Sequence, residues 1–255
     1  MKIAVCISGQ PRSVYRGIEN ILQFFKFDFH VFAHAWWDKE SRKTTFKKRL
    51  WNGVDDEVSE PVENDWVSEM YNKVDVKQII IEEQKQFDVP ELLEKRKLKF
   101  TNTVNVCSGL YSVWRCNQLK KDYELENNFI YDWVIRTRYD FGLSEPLIID
   151  NLDNNIIYAP NDNSHKYGFN DQFAIGSSFN MDTYSDVFLH IEDILESHRS
   201  GIYTAHYCEK PDNMGQEQLL NKHLDNNNVK FETRDFKNFL FRDKGKRTRI
   251  HSIED

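Results

Sequence analysis

The sequence predicts an α/β fold in a single domain. Three observations carry this reading. The chain opens with an apolar strand, Lys2–Ser8, a turn, Gly9-Gln10-Pro11-Arg12-Ser13, a helix over Val14–Phe25 and a second strand, Phe27–His34. Strand, turn, helix, strand is the opening βαβ unit of such folds. Farther along, a buried strand at Trp133–Ile135 runs straight into charged residues, as strands do where they end at a site. Finally, no internal repeat and no linker rich in Pro, Gly or Ser divides the chain.

In the first helix Val14, Ile18, Ile21, Leu22 and Phe25 recur at helical spacing. The second strand is dominated by aromatic and β-branched residues. Asp38–Glu69 is polar and broken, with Trp51 and Trp66 interspersed, and is expected to be a long excursion with short helices. Val74–Glu82 returns as a strand. Gln84–Lys99 is charged surface, with Pro90-Glu91 able to start a short helix. Val104–Tyr123 reads as an amphipathic helix. Cys107, Leu110, Tyr111 and Trp114 form its stripe, broadened by Val106 and Val113. Ile148–Ile149 and Ile156–Tyr158 read as short strands, and Asn170–Gly176 as a polar-to-apolar crossing. Met181–His198 is a predicted helix and Gly201–Asn213 a loop. Gly215–His223 opens another helix, with Leu219, Leu220 and Leu224 on its apolar side. The end, basic from Arg242 to Arg249, reads as a tail or lid.

Composition narrows the function classes. The 255 residues are 40% hydrophobic and 29% charged, a globular balance rather than a disordered one. A net charge of −7 argues against a general nucleic-acid binder. Aromatic residues at 14% mostly fill a core. Trp36, Trp37, Tyr139 and Phe173, each beside a polar candidate, are the subset suited to stack on sugars or bases. No stretch approaches the roughly 20 apolar residues of a membrane span. The apolar run Ile3–Ile7 is too short for a signal peptide. The four cysteines (Cys6, Cys107, Cys116, Cys208) lack CxxC spacing and read as reduced thiols, which with no export signal implies a cytoplasmic protein.

Four constellations carry chemistry. In Arg136-Thr137-Arg138-Tyr139-Asp140, period-two alternation puts two guanidiniums and a carboxylate on one face. Guanidinium forks suit phosphate oxygens, and an Asp suits a divalent cation or a ribose hydroxyl. The plain alternative is an Arg–Asp pair that ties down the sheet. Asn170-Asp171-Gln172 offers groups that read sugar hydroxyls, with Asp171 placed to deprotonate one; the alternative is an Asn/Asp turn before an edge strand. In Gln216-Glu217-Gln218 the carboxylate is a candidate base or simply a favourable charge at a helix start. Ser8-Gly9-Gln10-Pro11-Arg12-Ser13 is a strand-to-helix turn able to meet a phosphate or nucleoside, yet it is neither GxGxxG nor a Walker loop. His30 reads as structural. His34, near Trp36 and Trp37, and His206, a metal or phosphate contact, are the histidine candidates. No HExxH or GxSxG motif appears, which removes the main support for metalloprotease and α/β-hydrolase readings.

Taken in order, the Ser-Gly-Gln-Pro-Arg turn, the Tyr-Ser-Val-Trp-Arg-Cys-Asn-Gln-Leu helix, the Tyr131–Asp140 strand, Asn-Asp-Gln-Phe-Ala-Ile-Gly and Gln-Glu-Gln-Leu-Leu resemble GT-A-type nucleotide-sugar glycosyltransferases. They are most similar to polysaccharide-building members from bacteria and large viruses or phages. The similarity spans roughly Met1 to Leu224. It implies a GT-A-like, Rossmann-like central mixed sheet flanked by helices. Residues 1–140 would be the nucleotide-sugar-binding half, 141–240 the acceptor-side half and 241–255 the tail or lid. It implies transfer from a nucleoside diphosphate sugar to a glycan or glycoconjugate hydroxyl. Ser8, Gly9, Gln10, Arg12, Arg136, Arg138 and Asp140 would hold the donor, and Trp36, Trp37 and Gln172 the acceptor. Asp171 would be the general base, with Glu217 as the alternative. Where these enzymes hold Mn²⁺ or Mg²⁺ with Asp-x-Asp, this chain has Arg138-Tyr139-Asp140. Asp140 and His206 are the metal candidates, while Arg138 brings a positive charge to the same place and is able to neutralise a diphosphate directly. A sugar-phosphate nucleotidyltransferase and a non-catalytic carbohydrate-binding or assembly protein are the competing readings. The single Gly of the first turn disfavours the former.

Overall fold

A computed structural model describes residues 1–38, 43–49, 55–88, 99–100, 103–161, 169–197, 213–241 and 247–249. Its centre is a mixed seven-stranded sheet. Strands β1 (Ile3–Gly9) and β2 (His30–Trp36) are parallel and joined through α1 (Val14–Phe24). The chain continues through β3 (Lys43–Arg49), β4 (Asp55–Pro61), α2 (Trp66–Lys73), β5 (Val76–Glu82), β6 (Lys99–Phe100) and the long α3 (Thr103–Glu126). Then come β7 (Trp133–Thr137), β8 (Phe141–Leu143), β9 (Ile156–Pro160) and β10 (Ala174–Gly176). The described part ends with α4 (Ser178–Ser185), a 3₁₀ turn (Asp186–His190), α5 (Ile191–Ser197), β11 (Asn213–Met214), α6 (Gln216–Asn226), β12 (Lys230–Arg234), β13 (Asn238–Phe241) and β14 (Arg247–Arg249).

The large sheet runs β12-β9-β10-β7-β1-β2-β5. All neighbours pair in parallel except β10, which is antiparallel to both β7 and β9. β1 and β7 are wholly apolar or buried along most of their length because helices cover both faces. One core packs Val14, Ile18 and Ile21 of α1 and Trp66 and Met70 of α2 against Val5, Ile7, Val31 and Ala33. The other packs Val106, Leu110, Val113 and Cys116 of α3, with α4 to α6, against Ala4, Cys6, Phe32 and Val134. Strand alternation thus sends Phe32, His34 and Trp36 to the α3 side and Val31, Ala33 and Ala35 to the other.

Several expectations change. The Asp38–Glu69 excursion contains an unexpected antiparallel hairpin, β3 with β4, and the short helix α2 begins near its end at Trp66. Ile148–Ile149 forms no strand. Ile149 instead plugs the α1-side core while Ile148 faces out. The expected Met181–His198 helix is broken into α4, the 3₁₀ turn and α5. Arg247–Arg249, expected within a tail or lid, is a strand that extends the β8-β13 ladder. Pro90-Glu91, Trp51 and Cys208 lie outside the described residues. Among those described, Cys6, Cys107 and Cys116 are free thiols, and no helix is long and apolar enough to cross a membrane.

Candidate functional site

The strand order reverses between β1 and β7. From β1 the chain passes through α1 to β2 and onward to β5, whereas β7 leads into the mixed half. Crevices at such switch points, at the carboxyl ends of the strands, are where open α/β sheets bind ligands. A cleft of about 280 Å³ opens there. Its floor comes from the carboxyl ends of four parallel strands: Gln84 just past β5, Trp36 of β2, Ser8–Arg12 after β1, and Arg136 and Arg138 of the β7 end. Asn105, Ser108 and Gly109 of the first turns of α3, Asp171 ahead of β10, and Gln216 at the start of α6 complete the walls.

Local backbone chemistry shapes this edge. Gly9 has φ +123, a conformation only glycine adopts without strain, and lets the chain turn out of β1. Arg12 Nε donates to Gln10 Oε1 at 2.8 Å, which folds the turn on itself. On α1, a Cβ at Gly17 would lie 2.1 Å from the Tyr139 carbonyl oxygen, so the helix seats directly on the turn that follows β7. At Gly109 a Cβ would lie 2.1 Å from the Gln216 amide nitrogen. That amide crosses α3 and donates to the Asn105 carbonyl at 2.7 Å.

Arg136 is buried, and its Nη1 donates to the Gln172 carbonyl oxygen. Among the described residues its Nε has no hydrogen-bond partner, and neither has Ser8 Oγ, also buried. Both residues line the cleft, where a polar group could pair with these atoms. Burial pushes the Arg136 guanidinium below its ordinary pKa, against the pull of Tyr184 and Asp171. Burial opposes the charge of Arg138 as well, but Asp140 and Asp171 outweigh it and hold its pKa up.

Asp171 sits on an Asx turn. Asn170 Oδ1 accepts from the backbone N–H groups of Gln172 at 2.7 Å and Phe173 at 3.2 Å, and the turn presents Asp171 to the cleft. The Asn/Asp turn is therefore present, and it lies at the cleft. The strand that follows is interior, between β7 and β9, not an edge.

Ser8, Gly9, Gln10, Arg12, Arg136, Arg138, Asp171 and Trp36 meet at the cleft. Trp36 is 5% exposed; it stacks on Tyr111 and donates to the Ser108 carbonyl at 3.0 Å, so it offers an edge rather than a free face. The other candidates do not line the cleft. Trp37 packs against Trp66 on the opposite side of the sheet. Gln172 meets Arg136 through its backbone. Glu217 stands in the first turn of α6, and its charge helps hold the Arg138 pKa up. Tyr139 and Phe173 are core residues, against Trp66 and Phe141 respectively, and are no platforms. His34 is fully buried between Ser112 Oγ at 2.7 Å and Glu82 Oε2 at 2.9 Å. His206 lies outside the described residues.

Asp140, one of the two metal candidates, is held by an arginine of its own turn. β7 ends at Thr137, and Asp140 lies in the turn beyond it. Its two oxygens accept from Arg138 Nε and Nη2, both at 2.8 Å. The carboxylate is thus neutralised by a fork on its own turn. No group of three His, Cys, Asp or Glu side chains converges as a ligand set among the described residues.

A family model with the description "Domain of unknown function (DUF7796)" matches residues 1–197. The chain belongs to this family. No curated protein matches the sequence. The DUF7796 match takes in β1, β7 and the Asp171 turn; Gln216 comes from the part of the chain beyond it. Gln84, Asn105, Ser108, Gly109 and Gln216 are the lining residues of this DUF7796 member that sequence reasoning missed. All are neutral, and only Gln216 stood inside a motif of interest.

Proposed function

We propose that this chain is a glycosyltransferase that moves a sugar from a nucleoside diphosphate sugar to a hydroxyl of a glycan, in polysaccharide or glycoconjugate synthesis. One observation carries the reading: three arginines and Asp171 share a cleft at the switch point between β1 and β7. Cations there suit a diphosphate, and a carboxylate in the same cleft suits a hydroxyl that must lose its proton. A parallel half of nucleotide-binding topology joined to a mixed half also supports a GT-A-like arrangement.

In this mechanism the acceptor oxygen bonds to the anomeric carbon as the bond from that carbon to the diphosphate oxygen breaks. The bonding pair leaves with the nucleoside diphosphate, whose growing charge faces the arginines. Asp171 takes the acceptor proton. The neutral wall of Gln84, Asn105 and Gln216 supplies amides to orient base or sugar hydroxyls.

A thermal-shift screen of nucleoside diphosphate sugars, followed by product analysis with the best donor and glycan acceptors, tests this. A donor at a hundred times its Kd contributes about 2.7 kcal/mol, a rise of roughly 5–10 °C for a chain of this size. If no donor raises Tm at millimolar concentration, the reading fails.

A further inference from the structure

Resting on that reading, we infer that the donor diphosphate is held by arginines and helix-terminal N–H groups, with no divalent cation bridging it to the protein. The first argument is the engagement of Asp140. To bind a cation the buried Asp140 would have to release both bonds to Arg138 and leave a half-buried guanidinium facing a dication. Breaking a buried pair in that way is strongly unfavourable. The second is the polarity of the cleft. Arg136 Nε and Ser8 Oγ are buried donors without partners among the described residues, on side chains 5% and 1% exposed, and both line the cavity. A phosphate oxygen can accept from both; a metal ion could take the Ser8 hydroxyl oxygen but cannot satisfy the guanidinium N–H of Arg136.

The third argument is the placement of α3. It is a long helix, and Asn105 and Ser108 of its first turns line the same cleft. Its opening N–H groups have no intrahelical acceptors and carry the positive end of the helix dipole. With Arg12 on the facing turn, the diphosphate meets positive groups from β1, β7 and α3. These do the charge neutralisation that a metal performs elsewhere.

The test measures binding of UDP, GDP, ADP, CDP and TDP by calorimetry and thermal shift, in EDTA and in excess Mn²⁺. At least one is expected to bind equally well in both. Arg138→Gln should weaken it by roughly tenfold to a hundredfold, the worth of a charged hydrogen bond. Because that variant leaves the buried Asp140 without its Arg138 fork, Arg12→Gln is measured beside it; it breaks the bond to Gln10 within the turn and is expected to lose affinity by more than any change in its ligand-free Tm explains. Binding that requires Mn²⁺ or Mg²⁺ overturns this inference and leaves the transferase reading standing. Unchanged affinity in both variants also overturns it. Absence of binding by any diphosphate in either condition overturns the inference and the transferase reading together.

Discussion

The Lys120 ammonium, fully buried, lies 2.7 Å from Asp182 Oδ1 and 3.0 Å from Glu124 Oε2, and so ties the middle of α3 to α4. Ser178 joins the cluster, donating to Glu124 Oε1 at 2.7 Å, and Asn117 donates to Asp182 at 2.8 Å. The network fixes the helix whose first turns wall the cleft. Lys120→Met should destabilise the protein by about 3–5 kcal/mol, because it strands Glu124 without its cation. Pairing it with Glu124→Gln should recover part of that loss, as a double-mutant cycle of urea melts would show.

Gly17→Ala should also destabilise, by about 1–3 kcal/mol, although alanine favours helices. The obstacle is the backbone oxygen of Tyr139, which cannot rotate away as a flexible side-chain tip would. The turn bearing Arg138 and Asp140 must then shift, so donor affinity should fall with stability. Unchanged Tm and affinity would show that α1 has room to move at this point.

Asp171→Asn should separate binding from chemistry. The amide keeps the shape of the Asx turn but cannot accept a proton, and loss of a general base lowers turnover by roughly 10²–10⁴-fold. Donor-induced shifts in Tm should persist, since the arginines remain. Full transfer activity in this variant would assign the base elsewhere, with Glu217 next to be tested.

Acid should destabilise the fold in two stages. Burial holds the His34 pKa below 6.5, helped by the charges of Arg115 and Lys85 and opposed by Glu82. The unfolded state therefore takes up that proton first, and stability declines as pH falls below about 6.5. Glu82 is held down at about 2, where hydrogen bonds from Lys85, His34 and Tyr111 outweigh burial. Its contribution is present above pH 4.5 and fades as pH falls toward 2. A Tm profile against pH should show both declines. His34→Gln should flatten the upper one and leave the lower.

The turn after β1, the arginines after β7 and the Asp171 turn were legible because each is local: an apolar run stops and polar chemistry starts within a few residues. Gln84, Asn105, Ser108 and Gly109 gave no such signal. They are neutral, come from separate elements, and face one another only through the angle at which α3 crosses the sheet. In Gln216-Glu217-Gln218 the one ionisable group draws attention, yet the bare face of Gly109 lets Gln216 turn inward instead. Lys120 and Glu124 are opposite charges at i, i+4, a spacing common on solvated helix faces and so no sign of burial; the contact with Ser178 and Asp182 of α4 is what encloses them. Tyr139 and Phe173 looked available because they adjoin polar residues, but strand and turn geometry sends each into the core.

The cleft draws on chain segments from Ser8 to Gln216, so nearly every element must be in place before its walls exist. A ligand there cannot be gripped by a partly folded chain. Its binding should slow amide hydrogen exchange in β1, β2 and β7 together, including strands it never touches, and raise the barrier to unfolding as a whole.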